Sequence, residues 1–201
     1  MIGETIKGFE ITARIGKGGM GEVWMAEQPI VKTRVAIKVL HKEMSTDQQL
    51  VRRFFNEAIA VSHIKHAGIV KIHDVGFHNG AAFLIMELLE GEPLGARIRR
   101  VGRLQPGEVG ELGRQIASVL EATHAAHVTH RDLKPDNIFL VPDSELASGE
   151  RVKILDFGVA KLGSSTGVTG TGVAMGTPSY MAPELWGTAM NADGRADVYS
   201  F

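Results

Sequence analysis

His130-Arg131-Asp132-Leu133-Lys134-Pro135-Asp136-Asn137 is the most specific stretch of this chain, and its spacing has a chemical reading. Asp132 can accept a hydrogen bond from an attacking hydroxyl and orient it. Lys134, two residues on, can neutralise a phosphoryl group in transfer. Asn137 is a neutral oxygen donor that, together with a second acid, can hold Mg²⁺. Asp156, in Asp156-Phe157-Gly158, supplies that acid directly after the strand-like segment 152–155. An isolated Asp-Phe-Gly carries no information, but in this order and at this spacing it does.

Working upstream, the next signal is Gly16-x-Gly18-x-x-Gly21-x-Val23. In dinucleotide-binding folds such glycines join a strand to a helix. Here Phe9, Ile11, Ala13 and Ile15 alternate with polar residues before the cluster, and Val23 and Met25 resume the alternation after it. Two strands and a glycine-rich turn make a hairpin, whose backbone N–H groups can lie over phosphates. An ordinary glycine-rich hairpin is the plainer alternative, and the glycines alone do not decide between the two.

Residues 35–40, Val-Ala-Ile-Lys-Val-Leu, predict a third strand. Lys38 within it is costly to bury unless partnered. A helix is expected next, capped by Ser45 or Thr46 with Gln48 or Gln49, with Val51, Phe54, Phe55, Ala58 and Val61 on one face. Glu57 interrupts that face. A buried Lys38–Glu57 pair would explain both charges; a strand-edge lysine and a surface glutamate are the bland readings. Further strands are predicted at 69–75 and 82–86. The first 90 residues thus read as a five-stranded antiparallel sheet with one helix.

Downstream, residues 90–93 read as a connector. Pro106 starts a helix whose apolar stripe is Val109, Leu112, Ile116, Val119 and Leu120. Short strands are predicted at 138–141 and 152–155, with a polar turn over 142–150. Residues 163–176, rich in Gly, Ser and Thr, predict a mobile loop, closed by Gly176-Thr177-Pro178-Ser179-Tyr180-Met181-Ala182-Pro183-Glu184. The net charge of −1 gives no pull towards nucleic acid or anionic lipid. The lack of cysteine excludes disulfides and cysteine-ligated metal. No apolar run is long enough to span a bilayer and no signal peptide opens the chain. A cytoplasmic segment is expected, compatible with the cytoplasmic part of a membrane-anchored protein. The histidines show no metal-ligand spacing, and His130 is expected to pack under Phe157.

From Ile11 to Phe201 the chain resembles the eukaryotic-type protein kinases. The glycine loop, Val-Ala-Ile-Lys, the helix glutamate, His-Arg-Asp-Leu-Lys-Pro-Asp-Asn, Asp-Phe-Gly and Ala-Pro-Glu occur in family order. The resemblance implies an α+β, two-lobed protein-kinase-like fold. The small lobe, residues 1–90, would hold five antiparallel strands and one helix. The mainly helical large lobe, residues 91–201, would be incomplete at its C-terminal end. The resemblance also implies ATP and Mg²⁺ as cofactors, with Mn²⁺ as a substitute. Ile15, Gly16, Gly18, Gly21 and Val23 would cover the nucleotide, and Ala36 would join Val23 over adenine with Phe139 below. Lys38 would hold the α- and β-phosphates and pair with Glu57. Met86 matches the gatekeeper, with Glu87 and Leu89 offering hinge backbone to adenine. Asp132 would be the catalytic aspartate, Lys134 would contact the γ-phosphate, and Asn137 and Asp156 would bind the metal.

The same resemblance favours serine and threonine over tyrosine as acceptors, from Lys134 and from Thr177 before Pro178. It points to protein substrates rather than small molecules. Arg131 before the aspartate implies a phosphate partner on the loop. Val168-Thr169-x-Thr171 resembles the doubly phosphorylated stretch of bacterial Ser/Thr kinases, which implies autophosphorylation in trans and a homodimer for it. A merely flexible Thr/Gly loop is the alternative. The glycine-loop wording suggests a bacterial member. Asp197 matches the aspartate that opens the central helix of the large lobe and braces the catalytic loop. That helix is expected to stop after about a turn, without the late arginine that pairs with Glu184. Poor solubility, or a large lobe lacking fixed packing, is therefore expected of residues 1–201 alone. A nucleotide-binding scaffold without transfer activity is the competing function.

Overall fold

The structure, a computed structural model, describes residues 1–157, 178–186 and 193–201. These form two compact units: Met1–Ser62 with Lys71–Leu89, and His63–Val70 with Glu90–Phe201.

The first unit is built on an antiparallel sheet of β1 (Thr5–Ile6), β2 (Phe9–Lys17), β3 (Gly21–Glu27), β4 (Arg34–Leu40), β5 (Ile72–His78) and β6 (Ala81–Glu87). Its order is β1-β2-β3-β4-β6-β5. Period-two alternation divides β4 between two faces. Val35, Ile37 and Val39 point into an apolar core with Ile11, Trp24, Phe83 and Ile85. Ala36, Lys38 and Leu40 take the opposite face. The sheet has one strand more than the five expected, because Thr5–Ile6 is too short to show a periodicity.

Two helices follow β4: α1 (Lys42–Ser45) and α2 (Gln48–Ser62). The residue that caps α2 is Asp47, not Ser45 or Thr46. Its Oδ1 accepts from the N–H groups of Gln49 at 2.9 Å and Leu50 at 3.1 Å, satisfying two of the orphan donors at the helix start. Ser45 instead ends α1, and its hydroxyl oxygen accepts from the Ala82 N–H at 3.0 Å. On α2, Val51, Phe54, Ala58 and Val61 are buried, while Phe55 is only half-buried.

The predicted strand 69–75 begins later, at Ile72. Ile69 and Val70 are buried at 3% and 6% exposure, but in the second unit, where Ile69 bridges Ile154 in parallel. Their apolarity, taken as strand continuation, serves a different core.

The second unit holds β7 (Glu92–Pro93), α3 (Leu94–Val101), α4 (Pro106–Ala125), β8 (Ile138–Pro142), β9 (Glu150–Ile154) and α5 (Arg195–Ser200). The sheet order is β7-β8-β9, so the connector 90–93 supplies an edge strand. Pro106 opens α4, where its missing N–H costs nothing. Leu112, Ile116, Val119 and Leu120 are buried, whereas Val109 is 52% exposed. Gln115 takes a place in the stripe that the apolar pattern did not assign. Its amide nitrogen donates to the Glu150 carbonyl at 3.1 Å and its oxygen accepts from the Val152 N–H at 2.8 Å, pinning α4 to β9. The loop expectation for 163–176 lies outside the described residues. No helix among the described residues is long and apolar enough to cross a membrane.

Candidate active site

In the first unit, sheet register collects the predicted nucleotide-side residues on one face. Val23 lies opposite Lys38, and Lys38 opposite Leu84; Met25 lies opposite Ala36, and Ala36 opposite Met86. Directly opposed residues share a face, so Val23, Ala36, Lys38 and Met86 lie together, with Gly16 opposite Val23. Lys38 is half-buried. Glu57 is half-buried beside Phe54, Ala58 and Val61 of α2. Ile15 is half-exposed on β2. The Glu87 N–H donates to the Lys71 carbonyl at 2.9 Å, which removes that donor from the backbone groups predicted to meet adenine.

Three glycines of the hairpin, Gly16, Gly18 and Gly21, differ in cause. A Cβ on Gly21 would run into the Val39 carbonyl and the Leu40 Cα, so the approach of β3 to β4 demands glycine there. A Cβ on Gly18 would meet only the Gly21 carbonyl oxygen at 3.9 Å, and one on Gly16 only Val23, at 3.4 Å. The chain's own packing does not require glycine at these two positions. The turn is closed by the Gly18 N–H donating to the Gly21 carbonyl at 2.9 Å and by His41 N–H donating to the Met20 carbonyl at 2.9 Å.

In the second unit, the loop after α4 is tied by one fully buried carboxylate. Asp197, at 0% exposure, accepts from the backbone N–H groups of His130 at 2.8 Å and Arg131 at 2.7 Å. Its Oδ2 also lies 2.7 Å from His124 Nε2. His130, equally buried, links the loop to the strand after it. Its Nδ1 accepts from the Asp132 N–H at 3.2 Å, and Nε2 lies 2.8 Å from the Leu155 carbonyl. That pairing fixes the neutral tautomer with the proton on Nε2. Burial holds the ring's pKa below the ordinary histidine value. The ring packs on Phe157 with centroids 4.8 Å apart.

This frame brings Asp132, Lys134 and Asn137 together. Lys134 Nζ lies 3.2 Å from Asp132 Oδ2. Asn137 Nδ2 donates to the Asp132 carbonyl at 2.8 Å and to Asp132 Oδ2 at 3.2 Å. The Leu155 N–H donates to the Asn137 carbonyl at 2.9 Å, which sets the residue before Asp156. Arg131 and Asp156 have φ of 62° and 49°, left-handed conformations that non-glycine residues rarely adopt and that concentrate at functional sites. Phe139 is half-buried on β8 opposite Lys153. Thr169, Thr171 and Thr177 lie outside the described residues. Sequence spacing gave no sign of His124, which meets Asp197 across 73 positions.

The protein kinase domain model matches residues 9–201. The chain belongs to the protein kinase family. Two of its relatives are bacterial kinases. It is 42% identical over 201 residues to the serine/threonine-protein kinase Pkn1 of Myxococcus xanthus, covering all of this chain and 28% of that protein. It is 40% identical over 205 residues to the serine/threonine-protein kinase PknA of Mycobacterium tuberculosis, covering 99% of this chain and 46% of that protein. The chain therefore spans less than half the length of these two relatives. Among solved structures, the kinase domain of Mycobacterium tuberculosis PknI is similar with a TM-score of 0.73 and 30% identity, covering all of this chain and 73% of that one.

A protein kinase binds ATP and a divalent cation, and the residues present fit both. Both hydrogens of the Asn137 amide are spent on Asp132, which leaves its amide oxygen as the atom of this group suited to a hard cation. Gly16 and Gly18 leave bare backbone where phosphates need close approach.

Proposed function

We propose that this chain is the catalytic segment of a protein serine/threonine kinase, moving the γ-phosphoryl group of ATP onto serine or threonine hydroxyls of proteins. One observation carries the reading: the Asp132 carboxylate sits within hydrogen-bond reach of both Lys134 and Asn137, in a loop anchored on a buried aspartate. ATP with Mg²⁺, when bound, supplies the electrophilic phosphorus and neutralises its oxygens. Asp132 orients the incoming hydroxyl and accepts its hydrogen bond. Lys134 and Asn137 hold that carboxylate in one rotamer and place an ammonium and an amide oxygen beside it, as positioning requires. Lys38, on the face shared with Val23, Ala36 and Met86, serves the α- and β-phosphates together with Glu57, and Asp156 joins Asn137 as metal ligand. Ser/Thr specificity is supported by Lys134 and by the names of the two relatives.

The reading extends to regulation: Arg131 receives a phosphate placed on Thr169 or Thr171 by a second copy. Mass spectrometry after incubation with ATP and Mg²⁺ tests this, and an active preparation with both threonines unmodified refutes it. The central test is phosphate transfer from radiolabelled ATP to a generic basic protein by the full-length protein. Asp132→Asn should lower kcat by about 10²–10⁴-fold. Absence of transfer by the unsubstituted protein, or transfer indifferent to Asp132→Asn, would defeat the proposal.

A further inference from the structure

The turn Gly18-Gly19-Met20 between β2 and β3 uses its backbone groups unevenly. The Gly18 N–H donates to the Gly21 carbonyl, and the Met20 carbonyl accepts from the His41 N–H, both at 2.9 Å. The Gly18 carbonyl is held as well: His41 Nε2 lies 3.3 Å from it. A carbonyl only accepts, so the ring presents an N–H there. The N–H groups of Gly19 and Met20 have no hydrogen-bond partner among the described residues.

One residue therefore holds the turn at two points. His41 stands between β4 and α1 and is half-buried. Its own carbonyl accepts from the N–H groups of Met44 and Ser45, both at 3.0 Å, and from the Ser45 hydroxyl at 3.1 Å. Ser45 Oγ in turn accepts from the Ala82 N–H of β6 at 3.0 Å. His41 is thus tied to the sheet independently of the turn that its ring reaches. The ring makes no capping hydrogen bond to α1, so the helix start gives no reason for an imidazole here. Geometry supplies one. A peptide unit is planar and trans, with its C=O and N–H pointing opposite ways. Holding the Gly18 carbonyl on His41 directs the Gly19 N–H to the other side of the turn. Glycine on both sides of that peptide leaves it the least resistance to rotation. A flip would put a carbonyl where the N–H stood, and an anion is attracted by the one and repelled by the other.

We propose, on the reading of this chain as an ATP-dependent kinase, that His41 is a positioning residue for the nucleotide. Its ring fixes the Gly18–Gly19 peptide so that the Gly19 N–H is presented to the phosphate oxygens of ATP. The ring needs no contact with the nucleotide; it acts through the backbone that it holds.

The test compares equilibrium binding of ATP–Mg²⁺ with that of adenosine, which lacks phosphates, by the full-length protein in competition with a fluorescent ATP analogue. His41→Ala should weaken ATP binding about 5–10-fold, the effect of one misplaced hydrogen bond, and adenosine binding by less than about 2-fold. His41→Gln, whose amide nitrogen reaches about as far as Nε2, should restore ATP affinity to within about 2-fold. Melting should shift by less than about 2 °C in both variants, because the backbone bonds of His41 remain. NMR of the unsubstituted protein with glycine-selective ¹⁵N labelling is a readout that survives if a variant misfolds. The Gly19 amide proton should move downfield with ATP–Mg²⁺ and not with adenosine. A His41→Ala loss shared equally by adenosine, a loss that His41→Gln does not repair, or a Gly19 amide indifferent to ATP each overturns the proposal. Unchanged ATP affinity in His41→Ala removes His41 and leaves the kinase reading intact, whereas no ATP binding by the unsubstituted protein defeats both.

Discussion

The glycine-rich turn between β2 and β3 and the loop 130–137 are organised by opposite means. The loop is fixed by addition: one buried carboxylate takes two backbone N–H groups and a histidine, and His130 and Asn137 add further ties. The turn is shaped by subtraction. At two of its glycines a Cβ would make only ordinary contacts, and a few backbone bonds close the turn. A polar network fails when one member is removed, since the others are left buried and unsatisfied. Bare backbone fails only when something is added, and then only towards whatever approaches it.

Substitutions can break that contrast. Asp197→Ala should be the most damaging, costing about 3–5 kcal/mol, because it strands buried donors around a lost charge; urea unfolding measures it. A loss under 1 kcal/mol would show that the loop holds itself. Gly21→Ala, the hairpin glycine that packing does demand, should cost about 1–3 kcal/mol by forcing β3 away from β4.

The pH dependence is a smaller effect. His130 has a folded pKa below its unfolded value. Its contribution to stability is therefore complete above the ordinary histidine value of about 6.5. It is lost as pH falls from there towards the folded pKa, because the unfolded chain takes up a proton that the buried ring refuses. Unfolding free energy should decline between about pH 7 and 5.5, and His130→Phe should flatten that slope even if it lowers stability throughout. An unchanged slope would remove His130 from the account.

Gly18→Ala is the gentlest test. Stability should move by no more than about 0.5 kcal/mol, while KM for ATP rises several-fold. A large loss of stability would mean that packing, not a ligand, explains this glycine.

Local pattern made much of this legible. The run 35–40 announced a strand with a lysine inside it that needs a partner, and the spacing from His130 to Asn137 carried its chemistry in eight letters. What stayed hidden depended on distant partners. Asp47 won the helix cap because α1 intervenes and takes Ser45. Gln115 is buried in an apolar stripe because β9, 35 or more residues away, offers it a carbonyl and an N–H. His124 looked like one more histidine until Asp197 came beside it. No short window contains both members of such pairs.

The excursion of residues 63–70 has a consequence for dissecting the chain. The first unit is interrupted by a segment whose attachments lie with β9: the Ile154 N–H donates to the Gly68 carbonyl at 2.8 Å, and Ile69 and Val70 are buried in the second unit. No single scission can yield both halves whole. A piece ending at Leu89 would expose two aliphatic residues in mid-sequence, and a piece beginning at Glu90 would lack the segment that bridges β9 at Ile154. Reassembly from two separately expressed pieces would have to restore that borrowed segment before either half could mature.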